Sequence, residues 1–164
     1  TSKILESRLL LVPTPPDVTP SKLQRDRFAK LLERLPRDVS TIVWEPSGLW
    51  EHEDAAVQAK KWGVVLSVDP TRDIVPVGPV AFARLRALGG TRAYSTAALE
   101  KVAAAIGERR DAYVVIETAS ALKEAKTLRA LVRAASSRKT GGLSRLVRPR
   151  GAPLALEEDD EQDE

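Results

Sequence analysis

The residues best suited to chemistry in this chain are polar groups that close short apolar runs. Glu45 ends TIVWE, Asp69 ends GVVLSVD, Arg84 lies in VAFARL, Glu117 ends AYVVIE, and Arg72 follows three positions after Asp69. Carboxylates and guanidinium groups at neighbouring strand ends have two outcomes. Glu45, Asp69 and Glu117 could converge as a hard-oxygen site for Mg²⁺ or Mn²⁺, with Arg84 placed to hold a phosphate. The other outcome, expected here, is a paired ion network in which the carboxylates and arginines satisfy one another. No catalytic residue, metal ligand or cofactor is therefore assigned. Glu45 as a general base has no obvious acid to work with.

Composition removes several other chemistries. The chain has no Cys and one His, His52, which excludes zinc fingers, thiol nucleophiles, Ser-His and Cys-His triads and multi-histidine metal centres. His52 lies between Glu51 and Glu53 at a helix start, where a solvated side chain is expected. Trp44, Trp50 and Trp62 could stack on bases. Trp44, however, ends a strand and Trp62 lies on the apolar side of a helix, so core packing is expected. Met and Asn are also absent and Gln occurs only at 24, 58 and 162, a depletion of labile residues typical of thermophile proteins.

The elements that must position these groups follow from hydrophobic periodicity. Five short apolar runs predict strands at Arg8–Val12, Thr41–Glu45, Gly63–Asp69, Val80–Leu85 and Ala112–Glu117. Helical periodicity lies between them. Thr19 as N-cap with Pro20 at the first helical position opens a helix with Leu23, Phe28, Leu31, Leu32 and Leu35 on one face. His52–Trp62 is the second helix, ended by Gly63, and Ser95 caps a third with Leu99, Val102, Ala103 and Ile106 inward. Ser120 opens the fourth, with Leu122, Ala125, Leu128, Leu131 and Val132 inward. The connection from Asp69 to Pro79 holds three prolines and is expected to be a loop. Alternating strands and helices indicate an α/β protein with a parallel sheet, and no Gly-x-Gly-x-x-Gly follows a strand, which argues against a dinucleotide site.

After residue 135 the composition changes. Residues 136–153 hold Arg138, Lys139, Arg145, Arg148 and Arg150 with no acid, and seven acids follow between Glu157 and Glu164. The predicted organisation is a domain over 1–135 and a basic, then acidic, flexible tail over 136–164. The formal charge is +3, but residues 1–156 carry 26 basic and 16 acidic groups, a net +10. Such a body attracts polyanions, and the five cations suit phosphate-backbone contacts. Pairing of the basic strip with the acidic stretch is the competing use. No apolar stretch reaches the length of a membrane span and no signal peptide is read, so a cytoplasmic protein is expected.

The loops closing the strands carry a further signal. In order they read TPPDVTP, then LP and a strand ending WEPSG, then VDPTRD, FARLRALGG with TRAYS, and AYVVIETASALKEAKTLRAL. This succession resembles the domain-of-unknown-function 72 (YecE-like) family of TIM-barrel proteins over residues 5–132. The resemblance implies the fourth to eighth strands of a (βα)₈ barrel, a partial barrel of five parallel strands and four helices. Glu45, Asp69, Arg72, Arg84 and Tyr94 match the family's pattern. Pro13, Ser47, Arg86 with Ala87, and Glu117 with Thr118 depart from it, standing where the family has Gln, Arg, His-Gly and paired Asn. The departures fall on polar strand-end groups, which points to a noncatalytic derivative, and the basic strip of residues 136–153 makes a binding protein associated with RNA or a ribonucleoprotein assembly the expected function. The alternative is a half-barrel enzyme acting on a phosphorylated or nucleic-acid substrate. It would complete its barrel with a second copy or a separate N-terminal half.

Overall fold

A computed structural model describes residues 7–37, 40–87, 93–107 and 109–143, with side chains to residue 136. Five strands, β1 (Leu9–Pro13), β2 (Thr41–Glu45), β3 (Val65–Val68), β4 (Val80–Arg86) and β5 (Asp111–Glu117), alternate with α1 (Lys22–Glu33), α2 (His52–Trp62), α3 (Thr96–Ile106) and α4 (Ala121–Leu143). The sheet is parallel throughout and its order is β1-β2-β3-β4-β5. A doubly wound sheet reverses its order at a switch point; here each strand is added beside its predecessor, as in a singly wound barrel. The architecture is a partial α/β barrel. Residues 69–79 connect β3 to β4 without a helix. Arg109 supports that connection by donating to the carbonyls of Gly78 and Val75.

Side-chain alternation divides the sheet into two faces. Leu10, Val12, Ile42, Trp44, Leu66, Val68, Ala81, Leu85, Val114 and Ile116 point to the helices and join the core. Phe28 and Leu32 of α1, Ala55 and Ala59 of α2, Leu99, Val102, Ala103 and Ile106 of α3, and Leu128 of α4 cover them. The three tryptophans belong to this core. Trp44 is fully buried, with Trp50 and Trp62 each 4.9 Å from it in edge-on geometry and Phe28 at 5.8 Å. Its indole N–H donates to Thr14 Oγ1, so the one polar atom of the ring is satisfied.

Several local expectations are corrected. The cap of α1 is Ser21, whose hydroxyl accepts from Gln24 N; Thr19 and Pro20 precede the helix. Ser21 and Gln24 have the spacing of a capping box, and a serine cap three residues before Gln outcompetes Thr19-Pro20. Leu23 and Leu31 are exposed, because only the i, i+4 pair Phe28 and Leu32 reaches the sheet. On α4, Leu122 and Ala125 are exposed, and Glu124 takes the buried position one turn before Leu128. His52 is half-buried rather than solvated, with Nε2 2.8 Å from the Ile74 carbonyl. α4 runs to Leu143, and the backbone at Arg138 and Lys139 is helical. Arg145, Arg148 and Arg150 and the acidic stretch lie outside the described residues.

Two glycines are required by geometry. Gly63 ends α2 at φ +64°, and Gly48 turns at φ +75° with Pro16 so close that an added Cβ would lie 2.6 Å from its carbonyl oxygen. The second packs the loop after β2 onto the loop after β1.

Candidate functional site

The face of the sheet away from the helices is concave. By alternation it carries Leu9, Leu11, Val43, Phe82, Tyr113 and Val115, and at its C-terminal end Glu45, Arg84, Arg86 and Glu117. Val43 and Phe82 are buried at its centre. The four charged groups form a closed ring. Arg84 Nη1 donates to Glu45 Oε2 at 2.6 Å, and its Nε and Nη2 both donate to Glu117 Oε1, the first at 2.8 Å. Arg86 reaches the remaining oxygens, Glu117 Oε2 at 3.0 Å and Glu45 Oε1 at 2.8 Å.

Each carboxylate thus gives one oxygen to each arginine, and the four formal charges cancel. Burial grades across the ring: the Glu45 side chain is 12% exposed, Arg84 24%, Glu117 38% and Arg86 55%. Desolvation opposes the charge on Arg84, but hydrogen bonds and charge from Glu117 and Glu45 outweigh it and raise its pKa. The Glu117 carboxyl is held below its ordinary value, chiefly by the Arg84 hydrogen bond; desolvation opposes this, and the Arg86 hydrogen bond and the charge of both arginines add to the lowering. Every carboxylate oxygen of Glu45 and Glu117 accepts from an arginine, so a cation at these groups would compete with two guanidinium groups.

The structure therefore unites Glu45, Arg84 and Glu117 and leaves out two of the expected residues. Asp69 turns back on its own loop, accepting from Thr71 N and Thr71 Oγ1, with Arg72 N bonded to its main-chain carbonyl. Arg72 is exposed beside a cavity of about 190 Å³ that also touches Asp69, Arg86 and Tyr94. No group of three or more metal-ligating side chains occurs among the described residues. Burial and the nearby Asp69 raise the Tyr94 pKa, Arg72 opposes them, and Glu124 adds to the rise.

Two residues were not anticipated. Arg86 stands out in the sequence only as a departure from Arg-Leu-His-Gly; its spacing of two from Arg84 was the available signal, since both must share a face. Glu124 is 4% exposed, and its carboxylate accepts from Tyr94 N and from Thr118 Oγ1. It ties the loop before α3 and the turn after β5 to the first turn of α4. A helix N-terminus favours that charge.

No protein-family model matches the sequence, and no curated protein is detectably similar to it. Solved structures do share its fold. A DUF72 family protein from Thermotoga maritima MSB8 superposes with a TM-score of 0.57 at 17% identity, covering 78% of this chain and 57% of that one. A DUF72 family protein from Enterococcus faecalis V583 gives 0.58 at 14% identity, covering 91% and 62%. The fold is that of a partial DUF72-type barrel. The chain spans about three fifths of the length of these two proteins. In this DUF72-like half-barrel the C-terminal mouth, where barrel enzymes place their chemistry, is occupied by the neutral ring of Glu45, Arg84, Glu117 and Arg86.

Proposed function

We propose that this chain is a degenerate relative of the DUF72 barrels that serves as a noncatalytic, basic binding protein for RNA or a ribonucleoprotein assembly. The observation that carries the noncatalytic part is the closed ion ring: Glu45 and Glu117, two of the three strand-end carboxylates that a hydrolytic or metal-dependent site would use, are paired with Arg84 and Arg86. The binding part is supported by the net +10 of residues 1–156 and by the acid-free run holding Arg138, Lys139, Arg145, Arg148 and Arg150. Arginines on such a run make bidentate contacts to phosphates and release counterions, giving a salt-dependent affinity without base specificity.

The test is binding of the full chain to a structured RNA of transfer-RNA size over a series of salt concentrations. Five phosphate contacts predict a slope of log affinity against log salt of about −4. Replacing all five cations by Gln should flatten that slope and remove most low-salt affinity. Undetectable binding at low salt, or a slope indifferent to the five substitutions, would refute the proposal.

A further inference from the structure

The join between β3 and β4, in the interior of the sheet, leaves apolar surface uncovered. The two strands pair only at Ser67–Phe82 and Val68–Ala83, whereas β4 pairs with β5 along its whole length. The other connections of the sheet each supply a helix; residues 69–79 supply none. What remains beside α2 is a groove of about 580 Å³. Small-molecule sites fall in the range of about 300–1,000 Å³. The sheet contributes Leu66 and Ala81 to its lining, α2 contributes Ala56 and Val57, and the connection contributes residues 75–79. Val57 is 55% exposed and Val77 99%, so the groove carries an apolar rim as well as an apolar interior.

The connection that forms one wall is tied down along its length. His52 Nε2 lies 2.8 Å from the Ile74 carbonyl, Arg109 donates to the carbonyls of Val75 and Gly78, and Asp111 N donates to that of Pro79. The lining is therefore preformed, as ligand pockets usually are. Its only polar side chain is that of Lys60, exposed in the last turn of α2. Val57 and Lys60 are three residues apart and share a helix face. No carboxylate pairs with Lys60 among the described residues. An apolar trough with one unpaired cation is complementary to an apolar body carrying one anionic group. A polypeptide suits it less well, because its amide groups would find no side-chain partner except Lys60 and would be desolvated at a cost.

We infer that this groove binds a free fatty carboxylate, an amphiphile with an unbranched hydrocarbon chain and a single acid group. The chain lies against Leu66, Ala81 and the 75–79 wall, and the carboxylate pairs with the Lys60 ammonium. The site is separate from the basic strip after residue 135 and does not depend on it.

The experiment titrates the full 164-residue chain with dodecanoate below its micelle concentration and follows binding by calorimetry. The expected result is saturable binding of one dodecanoate per chain. Octanoate should bind at least about tenfold more weakly, since each methylene withdrawn from water adds to affinity. Lys60→Gln should weaken dodecanoate at least about threefold and leave dodecanol unchanged. Ala56→Leu, which fills the groove from α2, should weaken both. Thermal melting without ligand checks that each variant folds, and if Ala56→Leu does not, the chain-length series and Lys60→Gln still decide. Absence of saturable binding overturns the inference, as does equal affinity for dodecanoate and dodecyltrimethylammonium. Dodecanoate affinity indifferent to Lys60→Gln does the same. Sedimentation is a second arm: a dimer that Ala56→Leu abolishes would make a second copy the occupant, with the same consequence.

Discussion

At Glu45 both carboxylate oxygens are taken, one by each arginine, in a site 12% exposed; Glu117 makes the same pair of contacts at 38% exposure. That difference in solvation sets the energetic order of the two groups. Glu45→Gln leaves Arg84, 24% exposed, and Arg86, 55% exposed, with Glu117 as the remaining carboxylate of the ring and should cost about 1–3 kcal/mol, between an exposed and a buried ion pair. Glu117→Gln should cost less than about 1 kcal/mol. Urea denaturation of the two variants checks the order. The pH dependence has a definite sign. Because the folded-state pKa of Glu117 lies below its ordinary value of 4.5, its contribution is complete at neutral pH. It is lost as pH falls below about 4.5 through the depressed folded pKa. Glu117→Gln should therefore narrow the stability gap between pH 7 and pH 3, and an unchanged gap would show that the contact is not maintained. Three ring members were legible because each ends or lies within an apolar run. Arg84 lies 39 residues from Glu45 and 33 from Glu117, so which carboxylate it meets depends on the curl of the sheet, and no local pattern encodes that.

At the scale of elements, Glu124 does the work that apolar residues do elsewhere on α4. It occupies the helix face continued by Leu128, Leu131 and Val132, and joins that helix to Tyr94 and Thr118. Glu124→Ala leaves the Tyr94 N–H without its acceptor and opens a void, and should cost about 1–3 kcal/mol in a thermal or urea melt. Glu124→Gln keeps one acceptor and one donor in the same volume, and should cost less than the alanine. If the two variants are equally stable, the contacts are not worth what their burial suggests. The sequence reading passed over this residue because a charge at a helix start is ordinarily solvated; of the inward set expected there, Leu128, Leu131 and Val132 reach the core and Leu122 and Ala125 do not. The helices whose caps and apolar stripes agree, α2 and α3, were read correctly: His52 to Trp62 with Gly63 at its end, and Leu99, Val102, Ala103 and Ile106 behind Ser95. On α1 the competing Thr19-Pro20 signal displaced the start by two residues, and the heptad-like leucines overstated the buried face.

For the whole molecule the dominant quantity is charge asymmetry. Seven acids after the last cation offset a body of net +10, so under the proposed function the acidic stretch would compete with a polyanion for the basic strip. Removing residues 157–164 should raise low-salt RNA affinity by roughly threefold or more, with the difference vanishing as salt screens both contacts. Equal affinities at low salt would mean that the acidic stretch does not reach the basic one. No helix among the described residues is long and apolar enough to cross a membrane.

The amino-acid sequence alone determined the strands, the absence of a helix between Asp69 and Pro79, the spans of α2 and α3 with the inward face of α3, and the parallel α/β class, to which the family resemblance added the half-barrel. These features are local: an apolar run, a cap or a proline acts on residues within one or two turns of itself. The tertiary structure decided which charges neutralise one another, why Asp69 and Arg72 stand apart from them, and that the apolar strands β1 and β5 lie at open edges. Those outcomes depend on the curvature of a sheet whose interacting residues lie 30 to 40 positions apart, as Glu45, Arg84 and Glu117 do. Contacts at that range are set by packing against the helices, not by the residues beside them.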